Sequence, residues 1–306
     1  MLFKNKINWE KKGLVIKPNK KLYSQKSHAM IPTPEYLRDD IYRIYYSGRN
    51  KLNQSIISCS DIKLTNDVHV IKHHSKPILL PGSLGCFDDN GVTPSCVINL
   101  KDNKKGLYYI GWNPGSTVRM HLFGGLAISN ANRMSFKRFS RAPIIERSLT
   151  DPFLNTAPWV VRNKNKFIMY YVSGSEWKNK NLPRYNIKIA TSNDGKNWNR
   201  NGLIAIDYKD RYENALARPF VLKDNNIWKM WFSCKGKKYR IGYAESLDGI
   251  KWVRNDNFAN INTSKGSFDS DMIEYPAIIK FKNKFYMFYN GNNYGYNGIG
   301  LAIGTQ

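Results

Sequence analysis

The sequence predicts an all-β protein: a single five-bladed β-propeller over residues 1–306, with antiparallel four-stranded blades around a central cavity. Three recurring signatures carry this expectation. An aromatic, β-prone strand ending in Ser, Gly or Asn returns with centres near Tyr45, Tyr109, Tyr170, Trp231 and Phe288. A short apolar run opened by proline precedes it. A Ser-x-Asp-Gly-x-x-Trp hairpin follows it in two of the repeats.

The aromatic strands read Tyr42-Arg-Ile-Tyr-Tyr-Ser-Gly-Arg49, Leu107-Tyr-Tyr-Ile-Gly-Trp112, Phe167-Ile-Met-Tyr-Tyr-Val-Ser-Gly174, Trp228-Lys-Met-Trp-Phe-Ser-Cys-Lys235 and Phe285-Tyr-Met-Phe-Tyr-Asn-Gly-Asn292. Their spacing of about 60 residues suits a four-stranded blade with generous loops. The hairpins are Ser192-Asn-Asp-Gly-Lys-Asn-Trp198 and Ser246-Leu-Asp-Gly-Ile-Lys-Trp252. Asp-Gly supplies the tight turn, and the Trp is expected to pack between blades. The prolines are Pro94, Pro158, Pro219 and Pro276, with Ile31-Pro32 in the corresponding place of the first repeat. Each is expected at the first residue of an innermost strand, where its missing N–H leaves no ladder bond unmade. A β-sandwich would not need these signatures to return along the chain in five repeats. No linker or composition shift divides the chain, and no long helix is expected.

The 48 Lys and Arg against 23 Asp and Glu give a formal charge of +25. Such a field draws anions: nucleic acid, an anionic membrane surface or phosphorylated sugars. The lysines fall in predicted loops, as in Lys17-Pro-Asn-Lys-Lys21, and no nucleic-acid motif accompanies them, so no nucleic-acid partner is expected. Cys59, Cys86, Cys96 and Cys234 form no C-x-x-C pair, which argues against zinc. No cofactor or catalytic metal is called for, although an oxygen-lined channel could hold a structural Ca²⁺. The first residues lack the apolar core of a signal peptide, and no run of 18 apolar residues offers a membrane span. A cytoplasmic protein with reduced thiols is expected. The oligomeric state is left open.

Acidic residues recur just ahead of the prolines, in Phe87-Asp-Asp-Asn-Gly-Val-Thr-Pro94, Asp151-Pro-Phe-Leu-Asn-Thr-Ala-Pro158, Glu213-Asn-Ala-Leu-Ala-Arg-Pro219 and Phe268-Asp-Ser-Asp-Met-Ile-Glu-Tyr-Pro276. Convergence of these segments on the axis would bring several carboxylates to one cavity, where like charges separate an acid from a base. Asp89, Glu213 and Glu274 are the candidate catalytic groups. Asp151, Thr156 and Asp271 share their segments as candidate substrate contacts. Arg49, Arg218, His28 and His121 would clamp phosphate or carboxylate. Arg119 lies beside His121. Trp112, Trp177 and Tyr185, expected in loops, could give a sugar platform. The competing role for each acid is capping a turn or pairing with an arginine.

On the Ser-x-Asp-Gly-x-x-Trp hairpins, the aromatic strands and the acid-before-Pro segments, nearly the whole chain resembles the five-bladed propeller glycosidases of the arabinanase, xylosidase and β-fructosidase type. Ser27-His-Ala, Phe87-Asp-Asp-Asn-Gly-Val-Thr-Pro-Ser95, Ala215-Leu-Ala-Arg-Pro219 and Tyr289-Asn-Gly-Asn292 resemble a group of glycosidase-like proteins encoded among bacterial surface-polysaccharide genes. The resemblance implies a sugar or sugar-phosphate partner. It does not carry over a catalytic trio: Ile31 stands where the hydrolases have Asp before the first-blade proline, Thr156-Ala-Pro158 where they have Glu-x-Pro, and Glu-x-Pro occurs only as Glu274-Tyr-Pro276. Three functions follow: glycoside hydrolysis, transfer or phosphorolysis with a phosphorylated or nucleotide-linked sugar, and sugar binding without turnover.

Overall fold

The computed structural model describes residues 2–131 and 133–306. The chain is all-β, and its antiparallel pairings group the strands in fours. The first set orders β2 (Ser27–Arg38), β3 (Ile41–Arg49), β4 (Ser55–Leu64) and β5 (Val68–His73). The second comprises β6 (Val92–Asn99), β7 (Lys104–Pro114), β8 (Met120–Asn130) and the short β9 (Lys137–Arg138). The third comprises β10 (Asn155–Asn163), β11 (Lys166–Asn179), β12 (Leu182–Ser192) and β13 (Ile204–Ile206). The fourth comprises β14 (Ala215–Asp224), β15 (Ile227–Lys235), β16 (Tyr239–Ser246) and β17 (Val253–Arg254). The last runs β18 (Glu274–Phe281), β19 (Lys284–Asn290) and β20 (Ile299–Thr305), and its outer strand is the N-terminal β1 (Asn8–Ile16). Single parallel bridges, Phe123 to Asn155 and Tyr185 to Ala215, join the second, third and fourth sets.

The innermost strands touch in a cycle: β2 packs on β6, β6 on β10, β10 on β14, β14 on β18, and β18 on β2. At one end they surround a cavity of about 290 Å³ to which every inner strand contributes, with Pro34, Val97, Trp159, Phe220 and Ile278 among its lining residues. All five inner strands begin at the opposite end, where the second strands finish and the connections between sets pass over.

The second strand of each set is buried on both faces because neighbouring sets sandwich it, so the aromatic signature reads as a continuous apolar run rather than an alternation. The paired aromatics divide the work. Tyr108 and Tyr170 donate to Gly195 and Gly249 carbonyls in the Asp-Gly turn of the following set. Tyr109 and Tyr171 instead hold the buried acids Asp88 and Asp151 of their own set. Trp198 and Trp252 stack edge-on against Tyr108 and Tyr170, packing between sets as expected from the hairpin motif. Gly195 and Gly249 take φ values of 73° and 77°, which the turn demands and a side chain resists.

The prolines correct one expectation. Pro32, Pro94, Pro158, Pro219 and Pro276 lie inside the inner strands, not at their first residues. Each sits where the register with the second strand shifts. At such a bulge one residue is left out of the ladder, so a missing N–H is tolerated within the strand as well as at its start. In four of the five, the residue before proline adopts a left-handed conformation: Ile31, Ala157, Arg218 and Tyr275 have φ between 48° and 55°. Non-glycine residues pay about 1–3 kcal/mol for such geometry, which persists only where surrounding contacts enforce it. Two of the contacts are visible. The Ile31 N–H donates to Asn290 Oδ1 at 2.8 Å, and the Tyr275 N–H to Ser233 Oγ at 2.7 Å. The first crosses the seam between the last set and the first, where Asn290 also donates to the Ala29 and Gly298 carbonyls.

Candidate active site

The acids ahead of the prolines do not converge on one cavity. Each is folded back onto the outer part of its own set. Buried Asp88 accepts from Tyr109 at 2.9 Å and from Arg138 of β9 at 2.8 Å. Asp151 accepts from Tyr171, Ser173, Lys188 and Arg200. Glu213 receives a bidentate pair from Arg254 of β17, both bonds 2.7 Å. Asp269 accepts from Tyr289 and from Lys11 of the N-terminal β1. Gln25, seven residues before Pro32, is also buried and takes the Asn19 N–H on its side-chain oxygen. These carboxylates fasten the connection entering each inner strand to a cation on the outer edge. A charged group leaves water readily only when such partners replace it, and each set offers them to these acids on its outer strands. Asp151 shows the balance: burial would raise its pKa, but Lys188 and Ser173 outweigh that and hold it below the usual range.

Glu274 is the exception. It opens β18 two residues before Pro276, is wholly buried, and neither carboxyl oxygen has a hydrogen-bond partner among the described residues. The Tyr275 side chain and Tyr294 backbone approach it without hydrogen-bond geometry. Burial drives its pKa well above the ordinary carboxyl range, and Lys235 only partly offsets this. Burial thus favours the protonated form of this carboxyl, the form able to give a proton. Around it stand Tyr185, Tyr239, Tyr275 and Tyr294. The Tyr185 and Tyr239 hydroxyls share a hydrogen bond of 2.6 Å, and the Tyr239 ring lies 6.1 and 6.3 Å from those of Tyr275 and Tyr294. Lys235 Nζ rests 5.1 Å over the Tyr239 ring. Its pKa is lowered by burial and by Arg119 and Lys238. Arg49, half-buried with an unpartnered Nε, borders Tyr275 and Tyr294. His28 lies beside Arg49 with Ser27 Oγ 2.7 Å from its Nδ1, and burial and the Arg49 charge lower its pKa to about 4. Asp271, exposed at the rim, pairs with Lys238. This end of the inner strands, here called the mouth, is thus rich in tyrosine and cations, with the buried Glu274 among them. His28, Tyr275, Asn293 and Tyr294 all have positive φ, a concentration of backbone strain typical of functional sites.

Of the sequence candidates, Glu274, Arg49, His28, Asp271, Tyr185 and Arg119 come together here. The others lie elsewhere. Half-buried Asp89 caps a turn by accepting the Gly85 N–H at 2.9 Å. Arg218 fills the centre below the mouth, not the rim: it is buried, donates to the Pro32 carbonyl at 2.9 Å and Thr33 Oγ1 at 3.0 Å, and lies 5.2 Å from the Trp159 ring. Burial without a carboxylate lowers its pKa to about 10. Thr156 occupies the Glu274-equivalent position of β10, its buried Oγ1 unpartnered. Trp112, Trp177 and Tyr185 are in strands β7, β11 and β12, not loops. The loops expected there are short because long hairpins extend these strands past the core. Trp112 donates to Ser55 Oγ at 3.0 Å and presses on Gly91, where a Cβ would strike its indole. His121 lies in a separate groove with Phe87, Phe123 and Arg147. Glu213, Cys234 and Asp256 bring ligand atoms within 4.8 Å of one another, yet Arg254 donates to both carboxylates and occupies the place of a cation. Sequence reasoning missed Lys235, Tyr239, Tyr275 and Tyr294. Two were marked: Lys235 ends the aromatic signature and Tyr275 directly precedes Pro276.

No family model matches the chain. The uncharacterized protein Rv1502 of Mycobacterium tuberculosis (strain ATCC 25618 / H37Rv) is 37% identical over 297 residues, covering 96% of this chain and 98% of its own. The uncharacterized protein MT1551 of strain CDC 1551 / Oshkosh matches over the same span with the same identity. Solved structures share the fold at low identity. A glycoside hydrolase superposes with a TM-score of 0.72 at 20% identity over 96% of this chain and 90% of its own. A thermostable family-43 glycoside hydrolase gives 0.66 at 16%, over 90% and 89%. A structure from the GH130 family of mannoside phosphorylases, described as containing hydrolases of β-1,2 mannosidic linkages in Candida mannan, gives 0.69 at 14%, over 99% and 95%. The fold is therefore one that glycoside hydrolases use, and the chain belongs to the family of the mycobacterial proteins Rv1502 and MT1551.

Proposed function

We propose that the protein is a carbohydrate-active enzyme of glycoside-hydrolase type, a single five-bladed β-propeller over residues 1–306, acting on a sugar at the mouth around Glu274. The cycle of contacts among five inner strands supports the propeller, with β1 and β20 pairing the two ends of the chain. The observation that carries the chemistry is the buried and unpartnered Glu274 carboxyl, whose protonated form burial favours. As a glycosidic C–O bond breaks, Glu274 gives its proton to the departing oxygen, and the incoming acceptor returns a proton to the carboxylate. Tyr185, Tyr275 and Tyr294 supply rings and hydroxyls for sugar faces and edges.

A second reading concerns the acceptor. Arg49, Arg119, Lys235 and Lys238 outnumber the carboxyls Glu274 and Asp271 at this mouth, which favours an anionic acceptor or donor: inorganic phosphate, or a phosphorylated or nucleotide-linked sugar. Phosphorolysis needs one acid and a bound anion, where hydrolysis also needs a base for water. The four free cysteines suit a reducing cytoplasm, with surface-polysaccharide metabolism as the setting.

The test is turnover of a glycoside panel with and without inorganic phosphate. Glu274→Gln should lower turnover by about 10²–10⁴-fold while sugars still raise the unfolding temperature. A Gln variant as fast as wild type sinks the assignment of Glu274. Rate that depends on phosphate selects the second reading.

A further inference from the structure

We propose that the face carrying the mouth docks onto an anionic lipid bilayer. All connections between sets, 17–26, 74–91, 139–154, 207–214 and 255–273, cross this one face, together with the β3–β4 turn. Four of these connections and the turn carry a large apolar side chain held out into solvent: Tyr23, Leu52, Leu84, Leu149 and Tyr212. Leu84 and Leu149 are essentially fully exposed. Exposing a leucine tip has no folding rationale, since it buries nothing in the native protein. The other end of the strands is built differently. Its turns between first and second strands read Asp39-Asp40, Lys101-Asp102-Asn103, Lys164-Asn165, Asn225-Asn226 and Lys282-Asn283, and the apolar side chains exposed near that end, Tyr36, Leu203, Leu247 and Val253, are all less exposed than Leu84 and Leu149.

Basic side chains share the apolar face. Lys20, Lys21, Lys51, Lys180 and Lys237 are exposed there, beside or between the apolar tips. Leucine and tyrosine tips in a field of lysine match the acyl boundary and anionic headgroups of a bilayer, which charge attracts and apolar insertion holds. The tips stand one to a connection rather than in a continuous patch, unlike the packed centre of a protein–protein interface. Tyr23 and Tyr212 have rings that stack on bases, but the three leucines, which include the two most exposed tips, offer neither a ring nor a group for a phosphate backbone, and this favours lipid over nucleic acid. Docking would turn the mouth toward the membrane and toward sugars carried on lipid. The inference is independent of the chemistry assigned to Glu274.

Sedimentation with vesicles tests it. Vesicles of phosphatidylcholine alone are compared with vesicles of phosphatidylcholine and phosphatidylglycerol in equal parts. Wild type should partition onto the anionic vesicles and not onto the neutral ones. The triple variant Leu52→Ser, Leu84→Ser, Leu149→Ser should lower that partition by about tenfold or more at an unchanged unfolding midpoint, because all three are exposed. Leu247→Ser, at the other end, should leave it unchanged. Absence of wild-type binding to anionic vesicles at low salt overturns the proposal. So does a triple variant that binds as wild type does, which would reduce the effect to charge. Single-stranded RNA that binds wild type more tightly than the vesicles, with the same loss in the triple variant, would assign the face to nucleic acid instead.

Discussion

Asp151 and Glu274 both stand ahead of a bulge proline, both are buried, and the fold treats their charges in opposite ways. Asp151 is surrounded by donors: Tyr171, Ser173, Lys188 and Arg200. They stabilise its ionised form, and the carboxylate ties the connection entering β10 to the outer strands. Glu274 has no such partner, and Lys235 acts on it only through its field. The first arrangement recurs at Asp88, Glu213 and Asp269; among the described residues the second occurs once. A buried acid that the fold leaves unpaired costs stability, and evolution keeps such a cost where protonation has a use. Seven residues separate Asp151 from its proline and two separate Glu274, so the distance along the strand decides whether an acid reaches the outer edge or stays at the mouth.

The comparison can be broken most strongly at the clamps. Asp151→Ala strands Lys188 and Arg200 and should destabilise the protein by about 3–5 kcal/mol, read as a lower urea midpoint. A loss below about 1 kcal/mol would mean the clamp is ornamental. It can be sharpened by pH. Asp151, with its folded pKa held low, contributes stability that is present above the unfolded Asp value near 4 and lost as pH falls through the folded pKa. Glu274, with its folded pKa raised, has the opposite sign: its contribution is fully present below the unfolded Glu value near 4.3 and is lost as pH rises through the folded pKa. Glu274→Gln cannot ionise, so its stability should fall less with rising pH, by up to about 1.4 kcal/mol per unit across that window. Parallel pH curves for wild type and the Gln variant would show that Glu274 does not titrate in this window. The smallest effect belongs to Asp89. It caps an exposed turn, so Asp89→Asn should change stability by less than about 1 kcal/mol and leave turnover unchanged.

Much of the architecture was legible because it repeats. The doubled aromatics Tyr108-Tyr109 and Tyr170-Tyr171 mark strands buried on both faces, and the Asp-Gly-x-x-Trp turns mark where one set leans on the previous one. Each is a local pattern with a local cause. The site was legible only in part. Glu274, Arg49, His28 and Asp271 were among the candidates, but Glu213, Asp151 and Asp89 looked as eligible, since all are acids ahead of a proline. What separates them is the partner, and Arg254, Lys188 and Arg200 lie 41, 37 and 49 residues along the chain from the acids they hold.

The chain by itself determined the all-β class, the repeat, and which segments carry the acids, because β-propensity, turn chemistry and periodicity act over a few residues. The tertiary structure alone decided which acid is paired and which is left unpaired. That outcome depends on how deeply Glu274 is buried and on where cations from distant strands fall, and electrostatics in a low-dielectric interior is set by ångströms between residues rather than by their order.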